Sequence, residues 1–542
     1  MGVSAETSVA DAIADELAAA GIDRVFGLPG GEVLHLMDAL RRRGITFVLC
    51  RHEANAGLMA AVYGKLQGTV GVVLTTLGPG AANLMLPLAN SLLDREPLLA
   101  ISASIPTSWP SLHTHQRLPL LEAYRPVVKY AGAMDRCMAR RAIRDAVDAC
   151  RLEPQGPAFL TLSAEEATRP SAEGIRAGSG AVPAGIEAES AAVAQDIEGR
   201  LASAERPLVL LGLGFQTANT ARLRVWVDRW NLPVAVTPKA KGLVDETKAN
   251  FVGVVGGMSV DDLMVEALQQ ADLLIGLGFD PVEVDKRWHA SLPICWVLES
   301  PLATGILPPG DVHICDHASL LSDLAARPAP RTWSDPFAAI RRQRREIAEG
   351  SIDTGAGNGD AIAPTEIVRR LSQVMSPSTI VTTDAGSHKY LFGQFWPSRE
   401  PGTFFMSNGL SGMGYGLPAA IGAKLARPDA PVLAALGDGG FSMNSQELET
   451  ARRVGAGDII VVVLADQSYS LIRHGQRSRN LPNYGVDFTP IDTVRTAEAC
   501  GFRAARARTG KELAELVEAA ADRGEGLVVE VPVDPDAYRG LV

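Results

Sequence analysis

Along the chain, short apolar runs rich in Val, Ile and Leu alternate with longer stretches of helical spacing. Val70 to Thr75, Leu98 to Ser102, Pro207 to Leu211, Pro233 to Val236, Asp272 to Leu277, Thr379 to Thr383, Pro431 to Leu436 and Ile459 to Ala465 have the length and composition of buried strands. Val9 to Ala20 and Asn444 to Val454 carry the helical pattern. Repeated β-α alternation predicts parallel sheets covered by helices. Two stretches interrupt it: Thr168 to Ser190, rich in Ala, Gly, Pro and Ser, and Gly350 to Pro364, rich in Gly, Asp and Ala. Read as linkers, they divide the chain into three blocks at 1–170, 190–345 and 365–542. The expected fold is therefore α/β, with three parallel-sheet domains.

Length and composition agree with a large enzyme. A chain of 542 residues exceeds what one hydrophobic core can organise. A net charge of -11 gives no reason to expect nucleic acid. Arg41-Arg42-Arg43 and Arg341-Arg342 sit in helical, mixed-charge surroundings and read as solvated faces. The six cysteines, Cys50, Cys137, Cys150, Cys295, Cys315 and Cys500, are scattered without a Cys-x-x-Cys pair. They are expected to be reduced core residues, with neither a zinc cage nor a disulfide framework. The start, Met1 to Ala12, is polar and acidic with no secretory signal, and no apolar stretch reaches transmembrane length, so a soluble cytoplasmic protein is expected.

Candidate chemistry is concentrated at strand ends. Asp438 in Leu436-Gly437-Asp438-Gly439-Gly440 and Asp466 in Leu464-Ala465-Asp466-Gln467-Ser468 follow successive strands of one β-α-β unit. Ligands of parallel sheets gather at such carboxyl ends. Glycine lets the backbone approach a diphosphate, and paired carboxylates are the hard oxygen ligands that Mg²⁺ prefers. On residue chemistry alone, a Gly-Asp-Gly turn between buried strands is an equally open reading.

This segment resembles the metal-binding signature of thiamine-diphosphate enzymes. The resemblance implies that Asp438, Asp466 and the main chain of Ser468 hold Mg²⁺, with Gly437, Gly439, Gly440 and Tyr469 beside thiamine diphosphate. Near the other end, Arg51-His52-Glu53-Ala54-Asn55-Ala56-Gly57 is similar to the segment carrying the activating glutamate of the same enzymes. By that resemblance Glu53 hydrogen-bonds a pyrimidine nitrogen and drives the cofactor toward its imino tautomer, whose nitrogen removes the thiazolium proton. Such a role calls for an apolar, desolvated setting. A solvated Glu at a helix start is the plain alternative.

The likeness covers nearly the whole chain and is nearest the acetolactate synthase and pyruvate oxidase group, whose domains run pyrimidine-binding, central, diphosphate-binding. It implies a homodimer or homotetramer, each active site lying between the first domain of one subunit and the third of another. Thr76-Leu77-Gly78-Pro79-Gly80-Ala81-Ala82-Asn83 resembles an acetolactate synthase turn, which assigns Gly78 and Asn83 to the cofactor. Gly409-Leu410-Ser411-Gly412-Met413-Gly414 resembles the segment in which Met413 wedges the cofactor into its bent form and the Ser411 carbonyl receives its amino group. In Asp384-Ala385-Gly386-Ser387-His388-Lys389, the backbone of Ser387 and His388 is expected at the diphosphate.

The substrate side is expected to include Gly30, His115, Gln116, Leu471 and Arg473. His113-Thr114-His115-Gln116 resembles the Thr-His-Gln of catabolic acetolactate synthases and carboxyethylarginine synthase, where His115 and Gln116 would orient a carbonyl or relay a proton. Departures leave the substrate open. Arg117-Leu118-Pro119 replaces the Ser-Leu-Asp or Ser-Met-Asp of the family, Leu410-Ser411-Gly412 replaces Gln-Gln-Thr, and Arg473-His474-Gly475 stands where anabolic synthases place Trp. Arg473 either clamps an acceptor carboxylate or faces solvent. Gly276-Leu277-Gly278-Phe279-Asp280-Pro281-Val282-Glu283 resembles the FAD-free synthases, so FAD is not expected. Leu211-Gly212-Leu213-Gly214 is only a partial dinucleotide fingerprint.

The resulting expectation is decarboxylation of a 2-oxo acid followed by joining to a second carbonyl. Simple decarboxylation to an aldehyde is the runner-up. A catalytically silent regulatory homologue and a nicotinamide dehydrogenase are disfavoured by the intact Glu53, Asp438 and Asp466 and by the incomplete fingerprint.

Overall fold

The β-branched runs become strands because both of their faces are covered. Ile460–Ala465, for instance, is buried at every position, as are Pro207–Leu211 and Leu273–Leu277. A computed structural model describes residues 7–106, 108–110, 112, 115–172, 187–284, 292–301, 307–333, 335–350, 361–489 and 491–541. Both expected linkers fall largely outside these residues, as do His113 and Thr114.

Among the described residues, eighteen strands form three six-stranded sheets. The first contains β1 (Arg24–Leu28), β2 (Thr46–Leu49), β3 (Gly71–Thr75), β4 (Leu98–Ser104), β5 (Tyr130–Met134) and β6 (Pro157–Ser163). The second contains β7 (Pro207–Leu211), β8 (Val234–Val236), β9 (Phe251–Val254), β10 (Leu273–Leu277), β11 (Ile294–Leu298) and β12 (Asp311–Ile314). The third contains β13 (Ile380–Thr383), β14 (Phe404–Met406), β15 (Val432–Gly437), β16 (Ile460–Ala465), β17 (Arg503–Arg506) and β18 (Leu527–Pro532). Every pairing within them is parallel.

Strand order separates the sheets into two kinds. The first runs β2-β1-β3-β4-β6-β5 and the third repeats that order as β14-β13-β15-β16-β18-β17. The second runs β12-β11-β10-β7-β8-β9, the doubly wound dinucleotide-fold order. In each case the order reverses beside the first strand of the sheet, opening a crevice at the carboxyl ends: β1 with β3, β7 with β10, and β13 with β15.

The chain groups into two compact units. One comprises residues 1–181, 409–429 and 446–457, and holds the first sheet with its own apolar core. The other comprises 182–408, 430–445 and 458–542, where the second and third sheets share a continuous core that includes Trp226, Trp230, Trp296 and Phe392. Residues of the third sequence block thus fall in both units. Its helix Gly416–Ala426 is buried at every residue, and a helix apolar all round needs cover on all sides. It obtains that cover from the helix Glu53–Gln67, approaching so closely that a Cβ on Gly422 would strike the Met59 carbonyl.

Of the cysteines, Cys50, Cys150, Cys295 and Cys315 are buried thiols, Cys500 is half-buried and Cys137 is exposed, so the core expectation holds for four of the six. Arg41, Arg42 and Arg43 are exposed and paired with Asp38, Asp11 and Asp15. Arg341 instead lies half-buried against Asp335. Among the described residues no helix is long and apolar enough to cross a membrane.

Candidate active site

Several residues expected at the site follow strand ends beside the reversal crevices of the first and third sheets. In the third, β15 ends at Gly437 and the next residue, Asp438, begins the helix Asp438–Asn444. Its carboxylate is 4% exposed and accepts from the Gly439 N–H (2.9 Å) and the Gln467 N–H (2.8 Å). Asp466, just past β16, accepts from the Ser468 N–H (3.1 Å) and the Ser470 hydroxyl (2.6 Å), and Ser470 Oγ lies 3.2 Å from Ser387 Oγ. Burial, then the charge of Asp466, pushes Asp438 up to about 7. Burial pushes Asp466 up to about 6 against its two hydrogen bonds. Two buried carboxyls that resist ionising together are what a divalent cation would stabilise. Ser468 is also buried, and its Oγ has no partner among the described residues.

The backbone around this pair is close-fitting. A Cβ on Gly440 would run into Asp384 Oδ2, and one on Gly437 would lie 3.1 Å from the His388 ring. Ser387 opens the helix Ser387–Phe395 at the end of β13, so two helix N-termini, whose free N–H groups favour anions, face one crevice. His388 is buried, with its Nε2 unpartnered among the described residues, and burial pulls it down to about 3, leaving a neutral imidazole. Gln467 adopts φ +57°, a strained left-handed conformation for a non-glycine residue, and its N–H is the one Asp438 accepts. Tyr469 is 37% exposed at the rim.

In the first sheet the equivalent crevice lies between the ends of β1 and β3. Glu53 is the first residue of the helix Glu53–Gln67 and is 9% exposed, with His52 Nδ1 capping the helix by accepting from the Ala54 N–H. Asn83 Nδ2 donates to Glu53 Oε2 at 2.9 Å. A Cβ on Gly80 would stand 3.3 Å from Glu53 Oε1, and one on Gly30 would strike Thr76, whose hydroxyl donates to Glu32 at 2.6 Å. Gly78 takes φ +62°, and a Cβ there would stand 3.0 Å from Gln116 Cγ. The fold therefore gathers Gly30, Glu53, Gly78, Asn83 and Gln116 in one neighbourhood. His115 is exposed.

The loop after Asn408 belongs to the same unit as Glu53. The Gly409 N–H donates to Asp94 at 2.8 Å and the Tyr415 hydroxyl to Glu96 at 3.3 Å, which fixes the ends of the stretch bearing Ser411 and half-buried Met413. Ser411 takes φ +56° and Gln116 takes φ +56°. With Gln467, that puts three of the seven left-handed non-glycine residues among the described residues at or beside expected site positions, and strain of this kind concentrates at functional sites.

The second sheet's crevice is filled by the chain itself. Glu283 is 2% exposed and accepts from the Leu213 N–H (2.7 Å), the Lys239 N–H (2.8 Å) and the Thr237 hydroxyl (2.6 Å). Burial pushes it up to about 7. The glycines of Gly212-Leu213-Gly214 serve packing, since a Cβ on Gly212 would meet the backbone of Gly278 and Phe279.

Comparison with known proteins gives the same three-part reading. Residues 7–122 match the N-terminal TPP binding domain of thiamine pyrophosphate enzymes, 177–316 their central domain and 384–531 their C-terminal TPP binding domain. A catabolic acetolactate synthase of Raoultella terrigena is 31% identical over 97% of this chain and 95% of its own. The chain belongs to the thiamine pyrophosphate enzymes of acetolactate synthase type. An acetolactate synthase of Bacillus subtilis is 29% identical over 97% of this chain and 93% of its own, and the isozyme 2 large subunit of Escherichia coli is 29% identical over 85% and 83%.

For a thiamine pyrophosphate enzyme, three further residues of this chain stand out that sequence reasoning did not select. Glu447, fully buried, accepts from the Arg51 N–H (3.0 Å), Asn55 Nδ2 (2.9 Å) and the Thr450 hydroxyl (2.7 Å), bracketing Glu53 on both sides. Its only sequence signal is an acid inside an otherwise helical run after Gly-Asp-Gly. Asp384 lies under Gly440. Tyr538, buried near the chain's end, has its hydroxyl pushed well above its usual range by burial and by the charges of Asp466 and Asp438. Arg473 is half-buried, and its Nη1 pairs with Asp487 Oδ1 at 3.0 Å, a pairing that a substrate carboxylate would have to displace. Leu471 is half-buried on the same helix.

Proposed function

We propose that this enzyme uses thiamine diphosphate with Mg²⁺ to decarboxylate a 2-oxo acid and join the remainder to a second carbonyl compound, as a homodimer or homotetramer in the cytoplasm. The observation that carries the metal assignment is the buried Asp438 and Asp466 pair, with Asp438 accepting from the N–H of Gln467, the residue after Asp466, and both carboxyls raised. Asp438, Asp466 and the Ser468 carbonyl would hold Mg²⁺, and the amides around Gly437, Gly439, Gly440, Ser387 and His388 would take the diphosphate. When bound, the cofactor supplies the electron sink for breaking the carboxyl bond. Glu53 would hold and return a proton at the pyrimidine, kept in register by Asn83 and by Glu447. Ser411 and Met413 would support the pyrimidine. With Glu283 on the amides of the second sheet, flavin binding there is not part of this reading.

Joining is favoured over simple decarboxylation because Gln116 is held against Gly78 beside the Glu53 turn, where an amide can orient an acceptor carbonyl, with His115 adjoining. The test measures CO₂ release and carbon-carbon bond formation in one vessel, over a panel of 2-oxo acids with and without aldehydes. In Gln116→Ala and Arg473→Ala, CO₂ release should persist while the joined product gives way to free aldehyde. Parallel loss of both rates, or aldehyde alone from the wild type at saturating acceptor, would favour simple decarboxylation.

A further inference from the structure

In the central block, three side chains of metal-ligating type converge from separate elements: Asp196 on the helix Glu187–Ser203, Cys295 on β11 and His313 on β12. One ligand atom from each lies within 4.8 Å of the other two. The register accounts for the meeting. Cys295 pairs with Asp311 and Val297 with His313, so Cys295 and His313 are diagonal neighbours on one sheet face, and the helix brings Asp196 to that face. Asp196 Oδ2 stands 3.4 Å from His313 Nε2, yet Nε2 is buried with no hydrogen-bond partner among the described residues. Cys295 is fully buried. Beside the helix, a cavity of about 750 Å³ lined by Gln195, Asp196, Gly199, Arg200, Asp272 and Pro293 reaches the cluster at Asp196.

We propose that Asp196, Cys295 and His313 form a site for a zinc-type divalent cation, bound by one carboxylate oxygen, the thiolate sulfur and an imidazole nitrogen, with water as fourth ligand. The donor set selects the ion: thiolate and imidazole suit Zn²⁺, whereas Mg²⁺ takes oxygen, so this site is chemically distinct from the paired aspartates. Ligand atoms of a tetrahedral site stand roughly 3.5 Å apart, so closing on the ion takes a movement of about 1 Å. On binding, the Cys295 S–H bond breaks, its proton leaves to solvent, and a sulfur–metal bond forms without redox change. Burial holds the free thiol up at about 12, so this exchange is more favourable at higher pH. Arg200 donates through Nε to Asp196 Oδ2 at 2.8 Å and through Nη2 to Asp311 at 2.8 Å, orienting the carboxylate while its charge opposes the ion. Because β12 is the edge strand of its sheet, the ion would staple the helix to that edge.

The experiment uses the full chain, stripped with chelator and resupplied with Mg²⁺ and thiamine diphosphate to fill the oxygen-ligand site, then titrated with Co²⁺. A thiolate-to-cobalt charge-transfer band at one equivalent, displaced by Zn²⁺, is expected. Cys295→Ser should abolish it, and His313→Gln should weaken binding by at least the roughly 10-fold cost of losing even a supporting partner. No thiolate band in the wild type, or a band that survives Cys295→Ser, overturns the site. Should Cys295→Ser fail to fold, unchanged cobalt affinity in the half-buried His313→Gln variant overturns it equally.

Discussion

In metal-free protein, replacing Asp438 by Asn should stabilise the fold increasingly as pH rises. The folded carboxyl titrates at about 7 against an ordinary 3.8. At about 1.4 kcal/mol per unit, that rise is a penalty of about 4 kcal/mol once the group is forced to ionise in place. The sign follows from proton counting. Below about pH 4 both folded and unfolded states hold the proton and no penalty exists. Between about 4 and 7 only the folded state holds it, so stability falls with rising pH, and above about 7 the full penalty is present. Asn carries no such term. Its amide group would instead present N–H to the N–H of Gly439 or Gln467, a pH-independent cost of roughly 1–3 kcal/mol. The variant should therefore melt below the wild type near pH 4, and the difference should shift in its favour by about 4 kcal/mol by pH 8. Scanning calorimetry of chelator-treated wild type and Asp438→Asn across that range measures the shift. Adding Mg²⁺ and thiamine diphosphate should reverse it, since ligand stabilises only the protein that binds it. A difference independent of pH would refute the assignment of strain to this carboxyl.

Two other substitutions probe the cradle and the proton. Glu53→Gln should keep cofactor affinity but slow cofactor C–H exchange in heavy water and turnover by roughly 10²–10⁴-fold, because Gln can accept Asn83 yet cannot cycle a proton. Wild-type exchange, read by quenched NMR, would make Glu53 structural. Gly440→Ala should cost about 1–3 kcal/mol through overpacking against Asp384 and weaken cofactor binding in calorimetric titration. An unshifted melting point with unchanged affinity would show that Asp384 yields to the added methyl at no cost and would refute the close fit.

Much of this was legible in the chain because parallel strands buried on both faces write continuous apolar runs, and their carboxyl ends carry the chemistry one residue later, as at Gly437-Asp438 and Ala465-Asp466. What the sequence could not convey are partnerships between distant segments. Nothing local marks Glu447 as the acceptor for Arg51 and Asn55, or Asp487 as the partner of Arg473, since both depend on pairing across loops of unpredictable path. The same holds for Cys295. Its neighbours Asp196 and His313 lie on other elements, so a search for closely spaced Cys pairs passes over it.

The assignment of residues 409–429 and 446–457 to the first unit bears on how this chain can be made and cut. A ribosome releases the first sheet long before it releases the helix that backs Glu53–Gln67, so that unit emerges from synthesis with one apolar face uncovered. It must wait for segments more than half the chain away, and holding factors that shield such a face would act in that interval. The same threading makes the molecule indivisible at its apparent linkers. A fragment ending before residue 365 would retain Glu53 but lose Glu447 and the helix Gly416–Ala426, so expressing the pieces separately should yield an aggregation-prone first half rather than a working module.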